Sequence, residues 1–112
     1  MTTSAEDSLR FRRRARDAAR RALDGDYDLL LACRDLAALK AHLRDVPDDV
    51  VDTFVGVASE VDDLPIGGER RNWSLDALMA NDVEANRYRE QVRDVVTEAL
   101  RRLLGSLGNP DA

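Results

Sequence analysis

The sequence predicts an all-α fold, an antiparallel bundle of about four helices plus one short helix, with a long loop at 62–73. Three observations carry this expectation. Apolar residues recur at intervals of three and four along most of the 112-residue chain. Only five residues are aromatic (Phe11, Tyr27, Phe54, Trp73 and Tyr88), so the core must be built from Leu, Val and Ala, a palette that suits packed helices better than a sandwich or barrel. The connections at 25–26 and 46–48 are short, which makes successive helices up-and-down neighbours. With 44% hydrophobic and 35% charged residues, the chain reads as one domain over 1–105 and a small polar tail over 106–112.

The first helix is expected over 3–24. Thr3 and Glu6 have capping-box spacing, Leu9, Phe11, Ala15, Ala18, Ala19, Ala22 and Leu23 form the inner face, and Gly25 stands as the stop. Asp26 is placed to cap a second helix over 27–45, whose seam is Leu29, Ala32, Leu36, Leu39 and Leu43. That seam serves either the core or a homodimer. Pro47 ends the helix by biasing Val46 away from helical angles.

Residues 48–61 are rich in valine and compatible with a strand. Helix is favoured, because Val50, Phe54, Val57 and Val61 fall at helical spacing and no partner strand exists to satisfy a lone strand's backbone. After the loop, Ser74 caps a short helix at about 75–80. Asn81 with Glu84 has capping-box spacing and opens a last helix over about 82–104, which Gly105 ends.

Net charge is −5 and unevenly spread: +4 over residues 1–23, −9 over 24–69 and zero over 70–112. The arginine-rich face of the first helix suits nucleic-acid phosphates. The acidic whole and the lack of aromatic residues among the arginines disfavour that use, and the acidic middle third is an internal partner for them. Cys33 is the only cysteine and His42 the only histidine, so zinc-finger ligand sets cannot be assembled. Cys33 reads as a small core residue. No apolar run approaches the roughly 20 residues of a membrane span, and no apolar core follows the N-terminal arginines, so a cytoplasmic location without membrane contact is expected.

The segment Ser59–Trp73 concentrates what chemistry the chain has. Glu60, Asp62 and Asp63 supply oxygen ligands for a divalent cation, and Glu60 and Asp63 would share a helix face. The favoured alternative is that these acids cap the helix end or pair with Arg70 and Arg71. Trp73 either covers the bundle end with its indole N–H bonded to a carbonyl, the favoured reading, or stands part-exposed beside Arg70 and Arg71 as an interface anchor.

The same segment resembles a family of small, uncharacterised bacterial proteins in which Ser-Glu, an Asp two later, Leu-Pro, a Gly, an Arg and a Trp recur in order. Here these are Ser59, Glu60, Asp62, Leu64, Pro65, Gly67, Arg70 and Trp73. Leu75, Ala77, Leu78, Asp82 and Glu84 look similar as well, and the likeness extends from about Leu23 to Leu104. The resemblance implies no activity. Neutralising a partner protein is a common role among small acidic bacterial proteins.

The expectation from these residues is a non-enzymatic protein-interaction module, in concrete form a toxin-neutralising or immunity-type protein. Its binding set would be Glu60, Asp62, Asp63, Arg70, Arg71 and Trp73, its partner a basic protein, and it would need no cofactor. One alternative is a metal-dependent hydrolase of a phosphate-containing substrate, with Glu60 and Asp63 as ligands and a further carboxylate from Glu84 or Glu90. The other is a nucleic-acid binder using the first helix.

Overall fold

A computed structural model describes residues 4–108. Its elements are α1 (Ser4–Leu23), α2 (Leu29–Ala38), a 3₁₀ turn at Lys40–His42, α3 (Asp48–Glu60), a 3₁₀ turn at Gly68–Asn72, and α4 (Leu75–Leu107). No strand occurs among the described residues. Contacts between distant residues fix the directions. Arg12 reaches Asp45, Arg102 reaches Asp49 and Arg89 reaches Asp28. Arg16 donates to the carbonyls of Leu107 and Gly108. Each helix therefore runs antiparallel to the one before it, and α4 closes antiparallel to both α1 and α3.

The core lies where the four apolar stripes meet. Phe54 of α3 is its largest fully buried side chain, and Leu30, Leu36, Leu43, Val50, Val96, Leu100 and Leu103 surround the same volume. From α1 the contribution is almost all alanine, with Ala15 and Ala19 fully buried, so this helix lies close against its neighbours. Cys33 is buried in the same cluster, and burial pushes its thiol up to about 12, with the nearby Asp28 charge adding to it. Asp48–Glu60 is helical as expected despite its valines. Val50, Phe54, Val57 and Val61 all face inward, and their burial outweighs the small helical penalty of β-branching.

Several expectations need correction. No separate short helix exists at 75–80: α4 runs unbroken for 33 residues. Ser74 does cap it, accepting from the Ala77 N–H at 3.2 Å. Asn81 opens nothing, and its side chain donates to the Ala77 carbonyl at 2.7 Å from inside the helix. A cap sequence permits a helix start without requiring one, and neither Pro nor Gly interrupts 75–104. Gly105 does not stop α4 either. The helix continues through it, Leu107 is buried, and Gly108 at φ +70° makes the left-handed exit. The tail expected from 106 therefore starts later, and residues 109–112 lie outside the described ones, as does Thr3 of the expected capping box.

At the other end, Asp28 and not Asp26 caps α2, accepting from Leu31 N–H at 3.3 Å. α2 itself ends at Ala38 where a helix to 45 was expected. The tighter turn at Lys40–His42 follows and lets His42 stack on Phe11, with ring centroids 4.1 Å apart, while Leu43 and Val46 stay buried. Ala32, Leu36, Leu39 and Leu43 of the α2 seam are buried within the chain and so offer no surface to a second copy.

Helix lengths decide the shape. At about 1.5 Å per residue, the 13 residues of α3 span about 20 Å and the 33 of α4 about 50 Å. Asp49 meets Arg102 at one end of α3, and the Glu60 charge is felt by Tyr88 at the other. Residues 75–84 of α4 thus extend past the end of α3, with the 61–73 loop beside them.

Candidate functional site

The loop between α3 and α4 is built, not slack. The helix ends at Glu60, and the buried Val61 accepts at its carbonyl from Leu64 N–H at 3.0 Å, closing a tight turn. Pro65 and Ile66 are buried next, so the chain dips into the core before rising into the 3₁₀ turn. Two ion pairs then hold that turn. Arg70 donates to both carboxylate oxygens of Asp82 on α4, at 2.5 and 3.0 Å, and to the Pro65 carbonyl at 3.0 Å. Arg34 of α2 donates to Glu69 at 2.9 Å.

The Glu69 carboxyl is pulled down to about 2, first by its own backbone N–H, then by Arg34 and the Gly67 N–H. Gly67 lies directly beneath this ion pair, whose side-chain ends would have to shift to admit a larger residue. A Cβ there would come within 2.9 Å of the Glu69 carboxylate and 3.1 Å of the Arg34 guanidinium.

The clamped loop sorts the candidate residues into two groups. Arg70 turns inward and positions the loop, so it is not a free contact. Its partner is Asp82, not the acids at 60–63. Glu60, Asp62, Asp63 and Arg71 are all exposed and form no ion pair among the described residues. Trp73 is 40% exposed, more open than the sealed end cap expected of it, and its backbone N–H donates to the Arg70 carbonyl.

The acidic surface is wider than the loop. Asp48 and Asp52 stand on the outer face of α3 one turn apart, in line with Asp62 beyond the helix end. Two shallow depressions of about 400 and 460 Å³ lie beside α3 and meet at Lys40; the first, against the segment after α2, is lined by Asp48 and Asp52 together with Arg44, and the second, against the end of α2, by Asp62. Neither Asp48 nor Asp52 is in the binding set expected from the sequence. Their i, i+4 spacing was the available signal. Asp49 is not part of this set, because it is occupied by Arg102 at 2.6 Å.

No protein-family model, curated protein or solved structure matches this chain.

The other candidate sites can be followed to their geometry. Among the described residues no three His, Cys, Asp or Glu side chains gather closely enough to hold a metal ion, so Glu60 and Asp63 do not converge with Glu84 or Glu90. The arginines of α1 are largely occupied internally. Arg10 pairs with Asp7, Arg12 with Asp45, Arg16 with the α4 terminus, and Arg14 and Arg21 lie over the rings of Phe11 and Tyr27. No helix among the described residues is long and apolar enough to cross a membrane.

Proposed function

We propose that this chain is a non-catalytic interaction module that takes a basic protein partner on the outer face of α3 and the turn that follows it. The concrete form is a cytoplasmic toxin-neutralising or immunity-type protein. One observation carries the reading: Asp48, Asp52, Glu60, Asp62 and Asp63 are exposed carboxylates that form no ion pair among the described residues, on a regular helix and on the turn that follows it, whose continuation is held by the Arg70–Asp82 and Arg34–Glu69 pairs. A fixed backbone lowers the ordering cost of binding. Clustered like charge raises the rate of encounter with an oppositely charged partner. Trp73 and Arg71, exposed at the far end of the same loop, would extend the contact.

The test is affinity capture of the tagged protein from its native cell, wild type against Asp62→Lys/Asp63→Lys, with circular dichroism as the folding control. The expected outcome is a basic protein recovered in stoichiometric amount by the wild type and lost by the folded variant. Equal recovery by both forms, or no recovery by the wild type, refutes the reading.

A further inference from the structure

The geometry points to a second interaction surface, independent of the acidic face: the outer side of the α4 overhang pairs with the same surface of a second copy of this chain, the two helices antiparallel about a two-fold axis. Along the overhang, Asp76, Met79, Ala80, Val83 and Arg87 fall at i, i+3, i+4, i+7 and i+11, which aligns them in one stripe. All five are exposed, Met79 at 61% and Val83 at 62%. The opposite side is occupied, with Asp82 held by Arg70 and Leu78 half-buried. The stripe is therefore apolar in the middle, charged at its ends and open.

The end charges select the occupant. Asp76 and Arg87 have no ion-pair partner among the described residues. They are of opposite sign and equidistant from a point midway along the stripe. A two-fold axis there sets Asp76 of each copy opposite Arg87 of the other, twice over, and sets Ala80 opposite Val83. Such self-complementarity is what an isologous interface requires. Parallel pairing would place like charges together. The small Ala80 near the axis lets the helices approach closely. A lipid surface is a poorer fit, because interfacial helices favour a basic polar face, while Asp76 stands in this stripe and Glu84 and Glu90 adjoin it. The paired length of about 20 Å gives a small interface, so association in the micromolar range is expected.

Sedimentation equilibrium of the full chain over micromolar to millimolar concentration tests this. The expected result is a reversible monomer–dimer equilibrium, weakened about ten-fold or more by Asp76→Arg alone or Arg87→Asp alone. The double exchange Asp76→Arg/Arg87→Asp should restore it. Mixing the two single variants should give a heterodimer tighter than either variant's own dimer, because each then meets only opposite charges. All of these positions are exposed, and circular dichroism checks that each variant is folded. A chain that stays monomeric throughout, or a dimer insensitive to the single exchanges, overturns the proposal. A dimer weakened by both single exchanges but not restored in the double variant or the mixture also overturns it.

Discussion

The two ends of α4 contain the same kinds of residue in opposite surroundings. From Ala85 to Leu107 the helix sits between α1 and α3, and Val96, Leu100 and Leu103 are fully enclosed. From Leu75 to Glu84 it has the clamped loop on one side and open space on the other, and Leu75 is 73% exposed. Neither local propensity nor pattern separates the two ends, since both carry leucine and valine at helical spacing. What differs is reach: α3 is about 30 Å shorter than α4. The lesson is that an amphipathic helix does not guarantee its own burial. The length of its neighbours decides which part of the stripe becomes core and which is left for a partner.

The same substitution at the two ends breaks this comparison most directly. Leu100→Ala removes a fully buried side chain and leaves a cavity, so chemical denaturation should show a loss of about 2–5 kcal/mol. Leu75→Ala removes a side chain already in water and should move stability by no more than about 0.5 kcal/mol. Equal costs at both positions would mean that the overhang is packed as tightly as the core.

A subtler effect is expected at the clamp. Arg70→Ala removes both hydrogen bonds to Asp82 and the one to the Pro65 carbonyl. Hydrogen exchange should then quicken over 62–84 while amides around Val96–Leu103 keep their wild-type protection. Acid should mimic the change. Glu69 is held down near 2, and Asp82 is held below its ordinary value by the Arg70 hydrogen bonds. Both groups stabilise the loop when ionised, so their contribution is complete above about pH 4.5 and is lost as pH falls toward 2. Once intrinsic exchange rates are divided out, loop protection that stays constant over that range would show that the ion pairs are not what holds the loop.

Most of the helical pattern was legible in the residues, and the ends of the elements were the hardest part. Val50, Phe54, Val57 and Val61 marked α3 as a helix because its apolar period is that of one buried face. Gly25 was a dependable stop because the chain needs its positive φ, +84°. Asn81 and Gly105 imitated a start and a stop, yet a cap acts only where the chain must turn, and nothing local says that it must. The clamp was hidden for a related reason. Arg70 and Asp82 are twelve residues apart across a loop and a helix start, a separation no periodicity reveals. The exposed acids at 60–63 were visible as a cluster, whereas Asp52 belongs with them only once α3 has a known outer face.

Gly105 gives the smallest and most selective test, because it asks whether the last turns of α4 belong to the core-forming end. The residue is exposed inside a regular helix, and a Cβ built on it meets nothing within 4 Å. Gly105→Ala therefore introduces no clash, restricts the unfolded chain and improves helical propensity, worth about 0.5–1 kcal/mol. That gain appears in global unfolding only if residue 105 folds in the same cooperative step as the core. Arg16 argues that it does: its guanidinium donates to the Leu107 and Gly108 carbonyls at 3.3 and 3.2 Å, satisfying helix-end acceptors while Leu107 packs inside. The expected result is a rise of a few degrees in melting temperature. With Arg16→Ala in the background the rise should shrink, because the last turns would then fray before the bundle melts. An undiminished gain in that background would show that packing of Leu107 alone is enough to hold the end of α4.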